Sequence, residues 1–281
     1  MHRGQLRVWC ITALYAPWLV YHWVRRGGFI NASQRTNPEL PLGGLPIAAK
    51  LTRHGTKPPY APTARLDNEE ERTSFLEEHD PPYVIKPLFG ARSRNIHRVH
   101  DVDPDAYDEP MIIQPYIDGE EYTINIDRHD SHVCYAITKL NQDSDNWHEH
   151  TDHTDCSHAV TDDLEQQCEE AAKDIGLRFG RFDVKTPSLE ALQDGRFSII
   201  EANGALSLDL TLYTDQSFTD HVKTFTSRWK RYFRAADESD ATVTRHIAAL
   251  FYVVLFPLMP RTASRRWDQI NQDDLTPRSQ S

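Results

Sequence analysis

Between Tyr83 and Glu201 the chain repeats one theme, short runs rich in Val, Ile, Tyr, Phe and Thr set apart by Asp, Gly and Pro. The runs are Tyr83–Pro87, Met111–Tyr116, Tyr122–Asp127, Val133–Thr138, Phe179–Lys185 and Phe197–Glu201. Segments of this length and composition read as β-strands, so the middle of the chain is mostly sheet. One helix interrupts them. Leu164, Cys168, Ala171, Ala172 and Ile175 form an apolar stripe, Asp162-x-x-Glu165 reads as its capping box, and Gly176 ends it. A short charged helix is expected over Asn68–Glu78, stopped by Pro81-Pro82.

The flanks differ from this middle. Residues 27–66 are rich in Gly, Pro, Asn and Thr and predict extended or looped chain, a linker or a wrapping arm. Val222, Phe225, Trp229, Tyr232 and Phe233 predict an amphipathic helix, and the apolar run Ile247–Met259, bracketed by Arg245 and Arg261, a core or interfacial one. From Asn271 the tail reads as disordered. At the other end, Val8–Val24 is apolar and flanked by Arg7 and Arg25, with Pro17 and His22 inside it. Seventeen residues at about 1.5 Å each fall short of a bilayer core of about 30 Å. Two readings stay open: a helix lying in the membrane interface, suited to Trp9, Trp18 and Trp23, or a helix packed on the protein's own core.

Composition excludes several classes. With 39% hydrophobic and 26% charged residues, this is an ordinary soluble globular chain. Its 31 basic against 42 acidic residues give a net charge of −11, which argues against a nonspecific nucleic-acid partner. Four cysteines without a CxxC pair point to a reducing, cytoplasmic compartment. Only eight of the bases are lysines, so Lys86 within the apolar run Tyr83–Pro87 needs a reason. Beside the loop Leu88–Asn95, with Arg92, Ser93 and Arg94, it could grip phosphate; taken alone, it reads sooner as a lysine snorkelling from a strand edge.

The clearest chemical signal is Asp183 with Glu201 and Asn203. If their strands pair about Gln193-Asp194-Gly195, Asp183 lies opposite Glu201 or Asn203, and the latter two share a face. Two carboxylates and an amide oxygen among Val, Ile and Phe suit Mg²⁺, since unpaired like charges are costly to bury. Acids solvated at strand ends are the other reading. A further segment, His148, His150, His153, Cys156 and His158 with intervening acids, could hold a transition metal, touch substrate as a loop, or simply be solvated.

Taken in order, these segments resemble the ATP-grasp superfamily, in its D-alanine–D-alanine ligase-like, carboxylate–amine ligase branch, over roughly residues 82–206. The resemblance implies an α+β fold in which two subdomains sandwich a nucleotide, here with apolar helical flanks and no complete N-terminal α/β domain. It implies Lys86 on the phosphates, Gln114, Tyr116 and Ile117 at the adenine hinge, Glu121 on the ribose and Lys139 reaching towards the phosphates. Asp183, Glu201 and Asn203 would hold Mg²⁺, with Mn²⁺ as a substitute, and Arg181 would steady the transferring phosphoryl group. Asn37–Leu45 and the stretch from Asn203 to Tyr213 are similar to flanking motifs of an uncharacterised subgroup with an apolar N-terminal helix. The implied activity is ATP-dependent ligation of small-molecule carboxylate and amine substrates through an acyl phosphate; a nucleotide-binding module or membrane-associated scaffold without turnover is the alternative. The expected organisation is an apolar N-terminal helix and extended arm over 1–66, a small subdomain over 67–118, a large one over 119–235 and a C-terminal apolar helix and tail over 236–281. Peripheral contact with the inner face of the membrane is expected only if the N-terminal helix lies in the interface.

Overall fold

The computed structural model describes residues 3–44, 50, 55, 57–89, 95–142, 150–207 and 209–238. The chain divides into a unit spanning Met1–Asp240 and a second, Ala241–Ser281, which lies outside the described residues together with the expected helix over 247–259. The first unit is built on two antiparallel sheets. Strands β1 (Ala64–Arg65), β2 (Tyr83–Pro87), β3 (His97–Val99) and β4 (Met111–Pro115) make the small sheet, in the order β1-β4-β2-β3. Strands β5 (Glu120–Asp127), β6 (Cys134–Gln142), β7 (His150–Asp155), β8 (Phe179–Thr186) and β9 (Ser198–Asn203) make the large one, in the order β7-β6-β5-β8-β9.

Alternation along these strands decides what each face does. On the large sheet Tyr122, Ile124, Ile126, Ile137, Phe182 and Val184 point to one side and pack on helix α4 (Asp162–Asp174), whose Leu164, Cys168, Ala171 and Ala172 are buried. The opposite face carries Glu121, Thr123, Asn125 and Asp127 on β5 beside Lys185, Asp183 and Arg181 on β8. One sheet thus has an oily side and a polar side. On the small sheet Tyr83, Ile85, Met111 and Ile113 pack on Phe75 of helix α3 (Glu69–Glu78), which leaves Lys86 and Gln114 on the other face.

Several expectations change. The residue capping α4 is Thr161, not Asp162: it is extended, and its hydroxyl accepts the Leu164 amide at 3.3 Å. The link from β8 to β9 is no plain hairpin, because Ser188 caps a short helix α5 (Leu189–Gln193) within it. The His/Cys segment supplies β7, an edge strand paired with β6, rather than a loop. Residues 27–66 also hold a helix, α2 (Phe29–Thr36), hidden in sequence by glycines on one side and polar residues throughout. Its Ser33 hydroxyl shares a hydrogen bond of 3.0 Å with Tyr232 of helix α6 (Phe218–Asp237).

The arm is knitted into the sheets. Asn37 is fully buried, and its side-chain oxygen accepts the amides of Arg178 and Phe179 at 2.8 Å while its amino group donates to Phe179 O at 2.8 Å and Gly43 O at 3.0 Å. Beyond it, Gly44 O and Gly43 O accept the amides of Gly204 and Ala205, each at 3.2 Å. A side chain at Gly204 would run into both carbonyls, so this approach requires glycine. Further on, the Ala61 amide donates to Ile199 O at 2.9 Å on the edge of the large sheet, and three residues later Ala64 pairs with Ile113 in the small one. Residues 59–65 are therefore a strap stitched to both sheets.

Helix α1 (Arg3–Arg25) has two characters. Ile11 and Leu19 are buried against Phe225, Tyr232 and Phe233, whereas Leu14, Val20, Tyr21 and Val24 are 53–71% exposed on the other side. The core reading describes one face only. No helix among the described residues is long and apolar enough to cross a membrane. Leu19→Ala is expected to lower stability by about 2 kcal/mol, since it leaves a hole beneath α1. Leu14→Ser should stay within about 0.5 kcal/mol of the parent. Urea unfolding followed by circular dichroism checks both, and equal effects would mean that α1 does not pack as described.

Candidate active site

The polar face of β8 and β9 meets the inner face of the small sheet. In the β8–β9 ladder Arg181 pairs with Asn203 and Asp183 with Glu201. Arg181 and Asp183, two apart on one strand, make a double contact, Nε to Oδ1 at 2.8 Å and Nη2 to Oδ2 at 3.1 Å. Asn203 donates to Asp183 Oδ2 at 2.7 Å. Burial and the neighbouring Glu201 push the Asp183 carboxyl up to about 6, although Arg181 opposes this. Burial works against the Arg181 charge, but Asp183 and Glu201 outweigh it and raise its pKa.

Across the gap stands Lys86, 5% exposed, with Nζ donating to Ile200 O at 2.8 Å. Burial pushes its ammonium down to about 8, while Glu201, Asp183 and Glu121 favour its charge and Lys50 disfavours it. Lys50, Thr63, Lys86, Gln114 and Glu201 line one narrow cleft. Lys50 is a residue that the sequence did not single out. It sits in the irregular arm and reaches the cleft because its backbone amide is anchored to Leu88 O at 3.0 Å.

The residues expected at the hinge lie where β4 leaves the small sheet. Gln114 donates to Thr63 Oγ1 at 2.7 Å and to Ile200 O at 3.3 Å. Tyr116 is half-buried beneath the Arg98 guanidinium, 3.7 Å from its ring centre, and Ile117 follows it, also half-buried. Gly119 then turns the chain with φ +124°, where a side chain would strike Thr186 O. Glu121 stands on the polar face, paired with Lys185 at 3.3 Å.

Lys139 is not brought to this cluster. It pairs with Tyr122 in the β5–β6 ladder, so it projects from the opposite face, where it makes an ion pair with Glu120. Its neighbour Thr138 pairs with Thr123 on the site face, and alternation alone turns Lys139 away. Of the loop Leu88–Asn95, expected to grip phosphate, residues 90–94 lie outside the described residues; Asn95 adopts φ +54° and donates to Glu109 at 2.8 Å. Among the described residues no group of three His, Cys, Asp or Glu is placed to hold a metal. Of the His/Cys segment, His148 lies outside the described residues, and His153 packs on the Tyr213 ring at 5.6 Å.

The set that does converge is two carboxylates and the Asn203 amide, facing Lys86. Hard oxygen donors fit Mg²⁺, and a bound cation would oppose the upward push that burial and Glu201 exert on the Asp183 carboxyl. A larger open groove of about 520 Å³ lies on α6, lined by Lys223, Lys230, Arg231, Arg234 and Asp130, at the far end of β5. Its two arginines are already engaged by Asp127 and Asp130.

The family model of the ATP-grasp domain matches residues 45–204, more than half of the chain, and the protein belongs to that family. Among solved structures it is similar to the ATP-grasp ligase PsnB complexed with minimal precursor, at 15% identity and a TM-score of 0.41, covering 61% of this chain and 55% of that one. It is also similar to D-alanine–D-alanine ligase from Bacillus anthracis (17% identity, TM-score 0.43, 64% of each chain). For L-amino acid ligase from Bacillus licheniformis the values are 17% and 0.40, over 56% of this chain and 40% of that one. The chain thus spans little more than half the length of the first of these. No curated protein matches it.

Proposed function

We propose that this chain is an ATP-dependent carboxylate–amine ligase working through an acyl phosphate. The observation that carries this is the meeting, in one cleft, of Lys86 from the small sheet with Glu201 from the large one, beside Arg181, Asp183 and Asn203 in the β8–β9 ladder. Membership of the ATP-grasp family supports ATP as the nucleotide. In this reading Lys86 and Lys50 grip the phosphates, residues 114–117 border the adenine, and Glu121 takes the ribose. Asp183, Glu201 and Asn203 would hold Mg²⁺, which when bound neutralises charge on the phosphate oxygens. Lys139 has no part in it.

The chemistry asks mainly for charge neutralisation and alignment. A carboxylate oxygen attacks the γ-phosphorus and ADP leaves; an amine then attacks the acyl carbon and phosphate leaves. Arg181 is suited to steady the phosphoryl group in both steps, because its double contact with Asp183 fixes the guanidinium plane. ADP release that depends on adding a carboxylate and an amine tests the reading. A blank result across panels of both, with Mg·ATP still binding, would leave a nucleotide-binding module without turnover.

Two substitutions test the phosphate grip separately. Lys86→Met and Lys50→Met are each expected to weaken Mg·ATP binding by about 10–100-fold, the loss of one charge-assisted hydrogen bond. Titration calorimetry measures both, and an unchanged Kd for Lys50→Met would remove that residue from the site.

A further inference from the structure

Strand β9 carries one residue more than its partner. Asp183 pairs with Glu201 and Val184 with Ile199, so Ile200 is a β-bulge. Two consequences follow. Residues two apart in an unbroken strand share a face, yet Ile199 is fully buried in the core of the large sheet while Glu201 stands beside Asp183 on the polar side. The extra residue also turns its carbonyl out of the ladder, and that oxygen receives both Lys86 Nζ at 2.8 Å and Gln114 Nε2 at 3.3 Å.

The surroundings fix both donors. Gln114, 3% exposed, also donates to Thr63 Oγ1, whose own proton goes to Ala61 O at 3.0 Å on the strap. β2, β4 and the strap therefore all converge on one carbonyl of the large sheet. Lys86 is 5% exposed in the narrow cleft and already bound to the Ile200 carbonyl, so an entering phosphate competes with that oxygen for its ammonium.

We propose that the Ile200 bulge is a latch: its carbonyl holds Lys86 and Gln114 while the cleft is empty, and a nucleotide enters by taking Lys86 from it. Gln114 and Thr63 are positioning residues in this device. The nucleotide half rests on the reading of the site given above; the hold itself does not.

The test starts with the nucleotide-free full chain. Deleting Ile200 leaves Ile199 opposite Val184 and Glu201 opposite Asp183, so the ladder becomes regular and the metal-facing side chains keep their sides. Gln114→Met and Thr63→Val loosen the same point without shortening the chain. Hydrogen exchange at the amides of Ala61 and Ile199, which join the strap to β9, is expected to speed up about tenfold in the deletion and in Gln114→Met, with α4 unchanged. Stopped-flow mixing with a fluorescent ATP analogue and Mg²⁺ should show a severalfold faster association for Thr63→Val. Unchanged exchange in the foldable variants overturns the latch, as does association no faster than in the parent. Absence of Mg·ATP binding in the parent overturns the nucleotide reading instead, and the exchange data from the empty protein still judge the hold.

Discussion

Glu201→Gln is expected to reduce acceptor-dependent ADP release by about 10²–10³-fold, the scale of losing one electrostatic partner of the transferring group. The substitution keeps the shape of the side chain and removes its charge. Glu201 faces Asp183 across the β8–β9 ladder and is the leading influence favouring charge on Lys86. Losing it would therefore weaken the proposed Mg²⁺ site on one side of the cleft and the lysine on the other. A binding readout separates this from misfolding. Saturating Mg·ATP at about 100 times its Kd should stabilise the parent by about 2.7 kcal/mol, and the variant by far less. If the variant shows the parent's thermal shift and turnover, Glu201 is no ligand and the proposed site is wrong.

The largest stability effect is expected far from the chemistry, at Asn37. Asn37→Leu, similar in size but without polar atoms, strands the amides of Arg178 and Phe179 and leaves the carbonyls of Phe179 and Gly43 short of a donor. An orphaned buried group costs about 1–3 kcal/mol, so a loss of about 4 kcal/mol is expected, a large share of the stability of a typical domain. Phe179 begins β8, and Arg181 and Asp183 follow two and four residues later. Calorimetric unfolding checks the size of the effect; a loss under about 1 kcal/mol would show that water replaces the amide without penalty.

These two positions also mark what could be read from sequence. The strand Tyr83–Pro87 was legible because its ends are punctuated by prolines and its pattern is short and apolar. The opposition of Asp183 to Glu201 or Asn203 was legible for a different reason: antiparallel pairing keeps the sum of residue numbers constant, and the shift at Ile200 comes only beyond the Asp183–Glu201 pair. The arm was not legible. Asn37, Gly43 and Lys50 look like loop composition, and their work depends on partners about 40–160 residues away in the chain, Phe179, Ala205 and Leu88. Lys139 failed for want of a parity: its side of β6 depends on the register with β5, which shifts at Asn125/Ile126. The bulge at Ile200 carries no glycine to announce it and looks like any apolar strand residue.

The strap over 59–65 has a mechanical consequence. It is fastened to the large sheet at Ala61 and to the small one at Ala64, with only Pro62 and Thr63 between. Three residue steps of extended chain reach at most about 10–11 Å. While both fastenings hold, that tether sets a ceiling on how far the two jaws gape along this edge, and anything wider must come in from the untethered side.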